Sequence, residues 1–235
     1  MAGNIALVFG GSRGIGAACV RALAADGFEV AYTYVNDAGE TPAGAKAYRA
    51  DIGDPAQVAE TFAAVERDFG ARPTVVVANA GINVPPAPMA QFSPEDFRRL
   101  VEVNIVGAFN ILAEAARKVQ DHGAIIALTT SLVRHAAPGI GPYSATKAAV
   151  ECLVRSMAKE LAPRGVRVNA VAPGPVDTDL FRAGKNAEAV SRSAAMSPFN
   201  RVGKPEEIGA VVAFLASDKA SWVHGQVIQP NGGLI

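Results

Sequence analysis

Short apolar runs rich in Val, Ile and Ala alternate with stretches of helical periodicity along the whole chain, and this alternation restricts the fold more than any other feature. Strands are expected at Ile5–Phe9, Glu29–Tyr34, Ala45–Ala50, Thr74–Ala78, Ala124–Thr129, Arg167–Ala172 and Gln226–Gln229. Helices are expected at Ile15–Ala25, Pro55–Phe69, Pro94–Val119, Pro142–Ala162 and Pro205–Ala216. A strand that is apolar at every position is buried on both faces, which calls for a parallel sheet with helices on both sides. Proline opens several helices where its missing N–H is harmless, and Asp54 and Ser93 stand as caps before two of them. The expectation is α/β: one domain over 1–235, with a doubly wound parallel sheet of about seven strands. One connection breaks the pattern. Val35–Gly44 is too short for a crossover helix, so the helix between the second and third strands should be reduced to a turn or lost.

Composition excludes several classes of function. Lys+Arg and Asp+Glu balance at 22 each among 235 residues, which argues against nucleic acid as a bulk electrostatic partner. No stretch approaches the roughly 18 uninterrupted apolar residues of a membrane span. Asn4–Phe9 is too short for a signal-peptide core, so the cytosol is the expected compartment. Cys19 and Cys152 have no Cys or His neighbours at metal-ligand spacing, so they read as buried structural residues and no metal is expected.

Two local patterns point to chemistry. Phe9-Gly10-Gly11-Ser12-Arg13-Gly14-Ile15-Gly16 joins the first strand to the first helix. Glycines there let the backbone turn sharply, and the helix start offers unpaired N–H groups to a pyrophosphate. Tyr143 and Lys147 lie four apart on one helix face, where an ammonium should favour the phenolate and lower the tyrosine pKa. Two segments read as irregular: the proline-rich Asn83–Ala90, and Asp177–Arg201 beyond the sixth strand, expected to form a lid over a substrate, around 177–201.

The spacing Gly10, Gly14, Gly16, with Asn79-Ala80-Gly81, Asn104, Ser131, Tyr143-x-x-x-Lys147, Pro173-Gly174 and Asn231-Gly232-Gly233, resembles the short-chain dehydrogenase/reductase family over essentially the whole chain. The resemblance implies a Rossmann fold, a nicotinamide cofactor and a catalytic group of Asn104, Ser131, Tyr143 and Lys147. Ser131 would fix the carbonyl oxygen, Tyr143 would donate its proton, Lys147 would lower the tyrosine pKa and hold the nicotinamide ribose, and Asn104 would hold a water that resupplies the proton. It further implies Gly10, Ser12, Arg13, Gly14, Ile15 and Gly16 in the phosphate turn, and Asp51 and Ile52 on the adenine side. Asn79, with Ala80 and Gly81, falls by the adenosine ribose, and Pro173, Gly174, Val176 and Thr178 at the nicotinamide end. The second strand ends without an acid until Asp37, and Arg13 is placed to meet a phosphate, so NADP(H) is expected over NAD(H).

Three positions depart from the family pattern. Phe9 stands where threonine is frequent, which puts one local hydrogen bond in doubt. Counting back from Tyr143 by the commonest spacing reaches Thr130, one residue before Ser131; serine is the usual residue, so Ser131 is the expected hydroxyl. The chain is similar to 3-oxoacyl-acyl-carrier-protein reductases from Arg201 onward, and Arg164 matches a basic carrier-contact position, but Asp121 occupies another that is often basic. The expected activity is reduction of a ketone, foremost a 3-oxoacyl thioester of carrier protein or coenzyme A. A cyclic ketone, steroid, quinone or sugar, an alcohol oxidised in reverse, and a non-catalytic NADP sensor are the alternatives. His135 and His224 receive no catalytic part. The resemblance implies a homodimer or homotetramer built on the last helix and strand.

Overall fold

The computed structural model describes residues 4–40 and 42–235; residues 1–3 of the expected domain and residue 41 of the short connection lie outside the described residues. Seven strands form one all-parallel sheet in the order β3-β2-β1-β4-β5-β6-β7. They are β1 Ile5–Phe9, β2 Glu29–Tyr34, β3 Lys46–Arg49, β4 Val75–Ala78, β5 Ala124–Leu128, β6 Arg167–Val171 and β7 Val227–Ile228. The helices are α1 Gly14–Ala25, α2 Pro55–Phe69, α3 Pro94–Val101, α4 Ala108–Lys118, α5 Leu132–His135, α6 Gly141–Leu161, α7 Asp179–Arg182, α8 Ala187–Ala195 and α9 Pro205–Ala216.

Side-chain alternation along the strands builds two cores. Ile5, Leu7, Phe9, Val76, Ile125 and Ala127 face α2, α4 and α6 through Val58, Phe62, Ile111, Leu112, Val150 and Val154. Ala6, Val8, Val75, Val77 and Ile126 face α1 and α9 through Val20, Leu23, Ile208, Val212 and Leu215. Each large aliphatic side chain buried this way contributes about 1.5–3 kcal/mol. Small residues set the helix spacing: a Cβ on Gly209 of α9 would come within 2.7 Å of the Ala18 carbonyl oxygen on α1.

The strand order reverses between β1 and β4, so their carboxyl ends open a crevice, the usual ligand position in such sheets. No helix lies between β2 and β3 among the described residues. The short connection suffices because β3 starts opposite Ala31, only about 10 Å below the end of β2 at strand rise.

Four expectations are corrected. Cys152, read as buried along with Cys19, lies on the exposed side of α6, and only Cys19 is buried. The helix expected over Pro94–Val119 carries a turn of π-helix at Glu102–Gly107 between α3 and α4, and it centres on Asn104. The segment read as irregular over Asp177–Arg201 contains α7 and α8, capped by Thr178 to the Phe181 N–H and Asn186 to the Ala189 N–H. These helices are too short to show clear apolar periodicity. β5 ends at Leu128, and the chain turns into α5 directly after Ser131.

Candidate active site

The glycine turn is held by contacts that leave no room for side chains. A Cβ on Gly16 would overlap the Gly10 carbonyl oxygen, and one on Gly10, at φ +77°, would fall 2.8 Å from Ala80 Cα. Asn79 Nδ2 donates to the Gly10 carbonyl at 2.8 Å, and the Ala80 N–H donates to Phe9 at 2.9 Å. The expected Asn79-Ala80-Gly81 motif therefore braces the turn through the Asn79 side chain and the Ala80 backbone. Phe9 offers no hydroxyl to the turn, but a threonine on the neighbouring strand does: Thr33 Oγ1 on β2 accepts from the Gly10 N–H at 3.0 Å. That residue carried no sequence signal, because it lies on a neighbouring strand.

The N-terminus of α1 has no side-chain cap, so its first N–H groups face the crevice unpaired, and Ile15 is partly buried behind them. Gly14 lies against the methyl of Thr178. A cleft of about 360 Å³ opens there, with Ser12, Arg13, Gly14, Glu40, Thr178 and Pro205 among its lining residues. Arg13 is exposed and makes no side-chain hydrogen bond or ion pair among the described residues. Gly39 packs on the Ser12 backbone, and Tyr32 Oη donates to the Ala38 carbonyl at 2.9 Å, so the short β2–β3 connection is folded onto the glycine turn. Asp51 accepts from the Gly53 N–H at 2.9 Å, while Asn110 of α4 donates to the Ile52 carbonyl at 2.9 Å and fixes that rim. The uncapped helix start, the side-chain-free turn and the unpaired Arg13 fit a dinucleotide pyrophosphate with an extra phosphate.

The second half of the crevice gathers the catalytic candidates. Asn104 is fully buried in the π turn. Its Oδ1 accepts from the Ile82 N–H at 2.8 Å, and its Nδ2 donates to the Ile82 carbonyl at 2.9 Å and to Thr146 Oγ1 at 3.2 Å. Thr146 Oγ1 in turn donates to the Tyr143 carbonyl at 2.7 Å. Both amide hydrogens of Asn104 thus tie the loop after β4 to the first turn of α6, a contribution of Thr146 the sequence did not announce. π turns of this kind recur at functional sites. Lys147 is buried, and its Nζ donates to the Leu128 carbonyl at the end of β5 at 3.1 Å. A Cβ on Gly81 would lie 3.2 Å from that Nζ and 3.0 Å from Asn104 Oδ1. Asn104, Gly81, Lys147, Tyr143 and the β5 end therefore share one small volume.

The expected pKa effect on Tyr143 is reversed by burial. Desolvation pushes the phenol up to about 12 and the Lys147 ammonium down to about 8. The ammonium engages a carbonyl, and loss of solvent around each group disfavours its charged form, the phenolate on one side and the ammonium on the other.

The two candidate hydroxyls are in different states. Ser131 Oγ is buried, donates to the Ala172 carbonyl at 2.7 Å and accepts from Asn231 Nδ2 at 3.3 Å. Thr130 Oγ1 only accepts, from the Leu132 N–H at 3.3 Å, which leaves its O–H available. Pro173 accepts the Ser131 N–H at 2.9 Å, Gly174 packs on Asn231, and Val176 pairs beside Gly203.

Arg164 sits at the far end of α6, separated from Tyr143 by roughly 27 Å of helix. It donates to Asp121 Oδ1 at 2.8 Å and to the Ala116 and Val119 carbonyls. His224 clasps α6 to β6 by donating from Nε2 to the Ala158 carbonyl and accepting the Val168 N–H at Nδ1. His135 ends α5. No helix among the described residues is long and apolar enough to cross a membrane.

Comparison with known proteins agrees with this geometry. The family model described as Enoyl-(Acyl carrier protein) reductase matches residues 10–235. An Arabidopsis thaliana NADPH-dependent aldehyde reductase-like protein, chloroplastic, is 40% identical over 100% of this chain and 95% of its own length. The 3-oxoacyl-[acyl-carrier-protein] reductase MabA of Mycobacterium tuberculosis is 37% identical, covering 97% of this chain and 91% of its own. A short chain dehydrogenase from Burkholderia cenocepacia, solved in complex with NADP, superposes with a TM-score of 0.89 at 32% identity, over 97% of this chain and 96% of that one. With the glycine turn, the Tyr143–Lys147 pair and the parallel sheet, these matches establish that the chain belongs to the short-chain dehydrogenase/reductase family.

Proposed function

We propose that this oxidoreductase uses NADP(H) to reduce a free aldehyde or ketone to an alcohol, with Thr130, Tyr143 and Lys147 acting on the carbonyl end. The observation that carries the reading is Lys147: a buried ammonium fixed on the Leu128 carbonyl at the end of β5, two residues before Thr130 in the chain and one helical turn from Tyr143. Asn79, the glycine turn and Arg13 hold the cofactor, Arg13 at the phosphate that distinguishes NADP(H) from NAD(H). When bound, NADPH supplies a hydride to the carbonyl carbon.

The chain supplies the rest. Thr130 donates its free O–H to the carbonyl oxygen and fixes its position. Tyr143, protonated at neutral pH at the ordinary phenol value and held further from ionisation by burial, gives its proton to that oxygen as negative charge develops. The Lys147 ammonium stabilises the phenolate left behind. Asn104 keeps the loop after β4 and the first turn of α6 in register around them. The α7–α8 segment closes over the substrate as a lid, and its exposed Leu180 and Met196 suit an apolar substrate.

Arg164 favours a small carbonyl over a carrier-bound one. Its charge is paired with Asp121 and its remaining donors cap α4, so little is left to attract an acidic carrier protein. Similarity to MabA favours the second reading, a 3-oxoacyl thioester. Exposed Phe214 on α9 and Trp222 beside β7 suit self-association into a dimer or tetramer.

The test is NADPH oxidation with an aldehyde and ketone panel and with acetoacetyl-coenzyme A, using wild type, Tyr143→Phe, Thr130→Val and Ser131→Ala. Turnover of the panel abolished in Tyr143→Phe, and lowered more by Thr130→Val than by Ser131→Ala, supports the reading. Turnover confined to the thioester moves the substrate to the second reading. Undiminished Tyr143→Phe removes the mechanism.

A further inference from the structure

The C-terminal turn Asn231–Gly233 occupies a junction of three segments that the chemistry uses. On one side lies the loop after β6. The Gly174 N–H donates to the Pro230 carbonyl at 3.2 Å, and a Cβ on Gly174 would come within 2.9 Å of Asn231 Cα. On the second side lies the end of β5, where Asn231 Nδ2 donates to Ser131 Oγ and Ser131 Oγ donates to the Ala172 carbonyl. On the third side is the lid end: Ser197 Oγ donates to the Gly232 carbonyl at 2.7 Å. Gly232 and Gly233 have φ of +64° and +81°, which lets the chain fold back tightly enough for Asn231 Oδ1 to accept from the Gly233 and Leu234 N–H groups at 3.0 and 3.2 Å. The Asn231 side chain is thus clamped at its oxygen and aimed at Ser131 through its nitrogen.

We infer that Asn231 is a positioning residue for the reductase site: through Ser131 it holds the Thr130 hydroxyl at a fixed place relative to the cofactor loop 172–174. The inference rests on the reading of Thr130 as the carbonyl-binding hydroxyl. The β5 end needs such a brace because the strand stops at Leu128 and the chain turns away into α5 after Ser131, and between the Thr129 N–H bond to Val171 and the Ser131 N–H bond to Pro173 no strand ladder fixes Thr130. The Ser131 N–H to Pro173 bond fixes the backbone there, and the Asn231–Ser131–Ala172 chain fixes the side-chain layer.

Asn231→Asp isolates the role. It keeps the oxygen that accepts from Gly233 and Leu234, and replaces the donor to Ser131 with an acceptor that competes with Ala172 for the serine proton. Wild type, Asn231→Asp, Ser131→Ala and the double variant are compared for steady-state NADPH oxidation, NADPH affinity by fluorescence, melting temperature, and amide hydrogen exchange of peptides covering 129–135. The expected result is a kcat roughly 10- to 100-fold lower in each single variant. KM and NADPH Kd should stay within about threefold, and melting should fall by no more than the few degrees that one lost buried hydrogen bond costs, so that every variant is fully folded in the assay. The double variant should be no slower than the worse single, because both changes break one linkage. Exchange should accelerate at 129–135 and nowhere else. Unchanged kcat with unchanged exchange overturns the inference. So do losses that multiply in the double variant, or exchange that accelerates throughout the molecule. Tyr143→Phe with wild-type turnover would remove the reductase reading itself, and exchange at 129–135 would still decide whether Asn231 positions that segment.

Discussion

Replacing Lys147 with methionine separates the energy of holding a charge in this site from its chemical use. The ammonium is 6% exposed and has one carbonyl partner. Desolvation brings its pKa from 10.5 to about 8. At pH 7 the lysine is charged in both folded and unfolded states, so the folded protein carries the whole penalty, about 3 kcal/mol at 1.36 kcal/mol per pKa unit. The sign follows from the lowered pKa: between pH 8 and 10.5 the unfolded chain binds more protons, so wild-type stability rises with pH. Near pH 10 the remaining penalty is about 1 kcal/mol or less. Methionine is close in length and carries no charge, so Lys147→Met should raise the melting temperature of the ligand-free protein at pH 7 by roughly 5–10 °C. That gain should shrink to a small fraction by pH 10, while NADPH oxidation is lost. The raised pKa of Tyr143 acts in the opposite sense above pH 10, but it is common to both proteins and drops out of the difference. Denaturant unfolding of both proteins from pH 6.5 to 10 measures it. A variant no more stable than wild type at pH 7, or a difference that does not change with pH, would refute the argument that burial dominates at Lys147.

Three further outcomes are expected. Gly16→Ala places a Cβ into the Gly10 carbonyl oxygen and 2.6 Å from Asn79 Nδ2, so fluorescence titration should show NADPH affinity weakened by tenfold or more, about 1.4 kcal/mol. Arg13→Ala should weaken NADPH by roughly tenfold and leave NADH unchanged in the same titration, since only one carries the extra phosphate. Thr33→Val removes the acceptor of the Gly10 N–H at a site 1% exposed, and urea unfolding should show a loss of about 1–3 kcal/mol.

How much was legible in advance depended on how local the determining contacts are. The seven strands, four of the five expected helices and the missing crossover helix were readable, because apolar periodicity and connection length record burial and reach directly; the fifth, over Pro94–Val119, was readable as helical but not as divided by its π turn. α7 and α8 were not, since helices this short leave capping residues such as Thr178 and Asn186 as their main trace. The glycine turn was evident as a motif, yet its support by Thr33 was invisible, because that oxygen comes from a neighbouring strand. Asn104 was found by resemblance, while the π turn that aims it depends on packing against the loop after β4. Spacing pointed to Thr130 and residue type to Ser131. Only the partners of Ser131, 41 and 100 residues away at Ala172 and Asn231, show which hydroxyl is engaged and which is free.

By itself the sequence determined the parallel sheet, the phosphate turn after β1 and the Tyr143–Lys147 pair, because strand burial, glycine conformation and helical spacing all act within a few residues. The tertiary structure decided the direction of the two pKa shifts, the pairing of Arg164 with Asp121 and the junction at Asn231. Each depends on desolvation or on a partner brought in from a distant segment, and neither is written in local order.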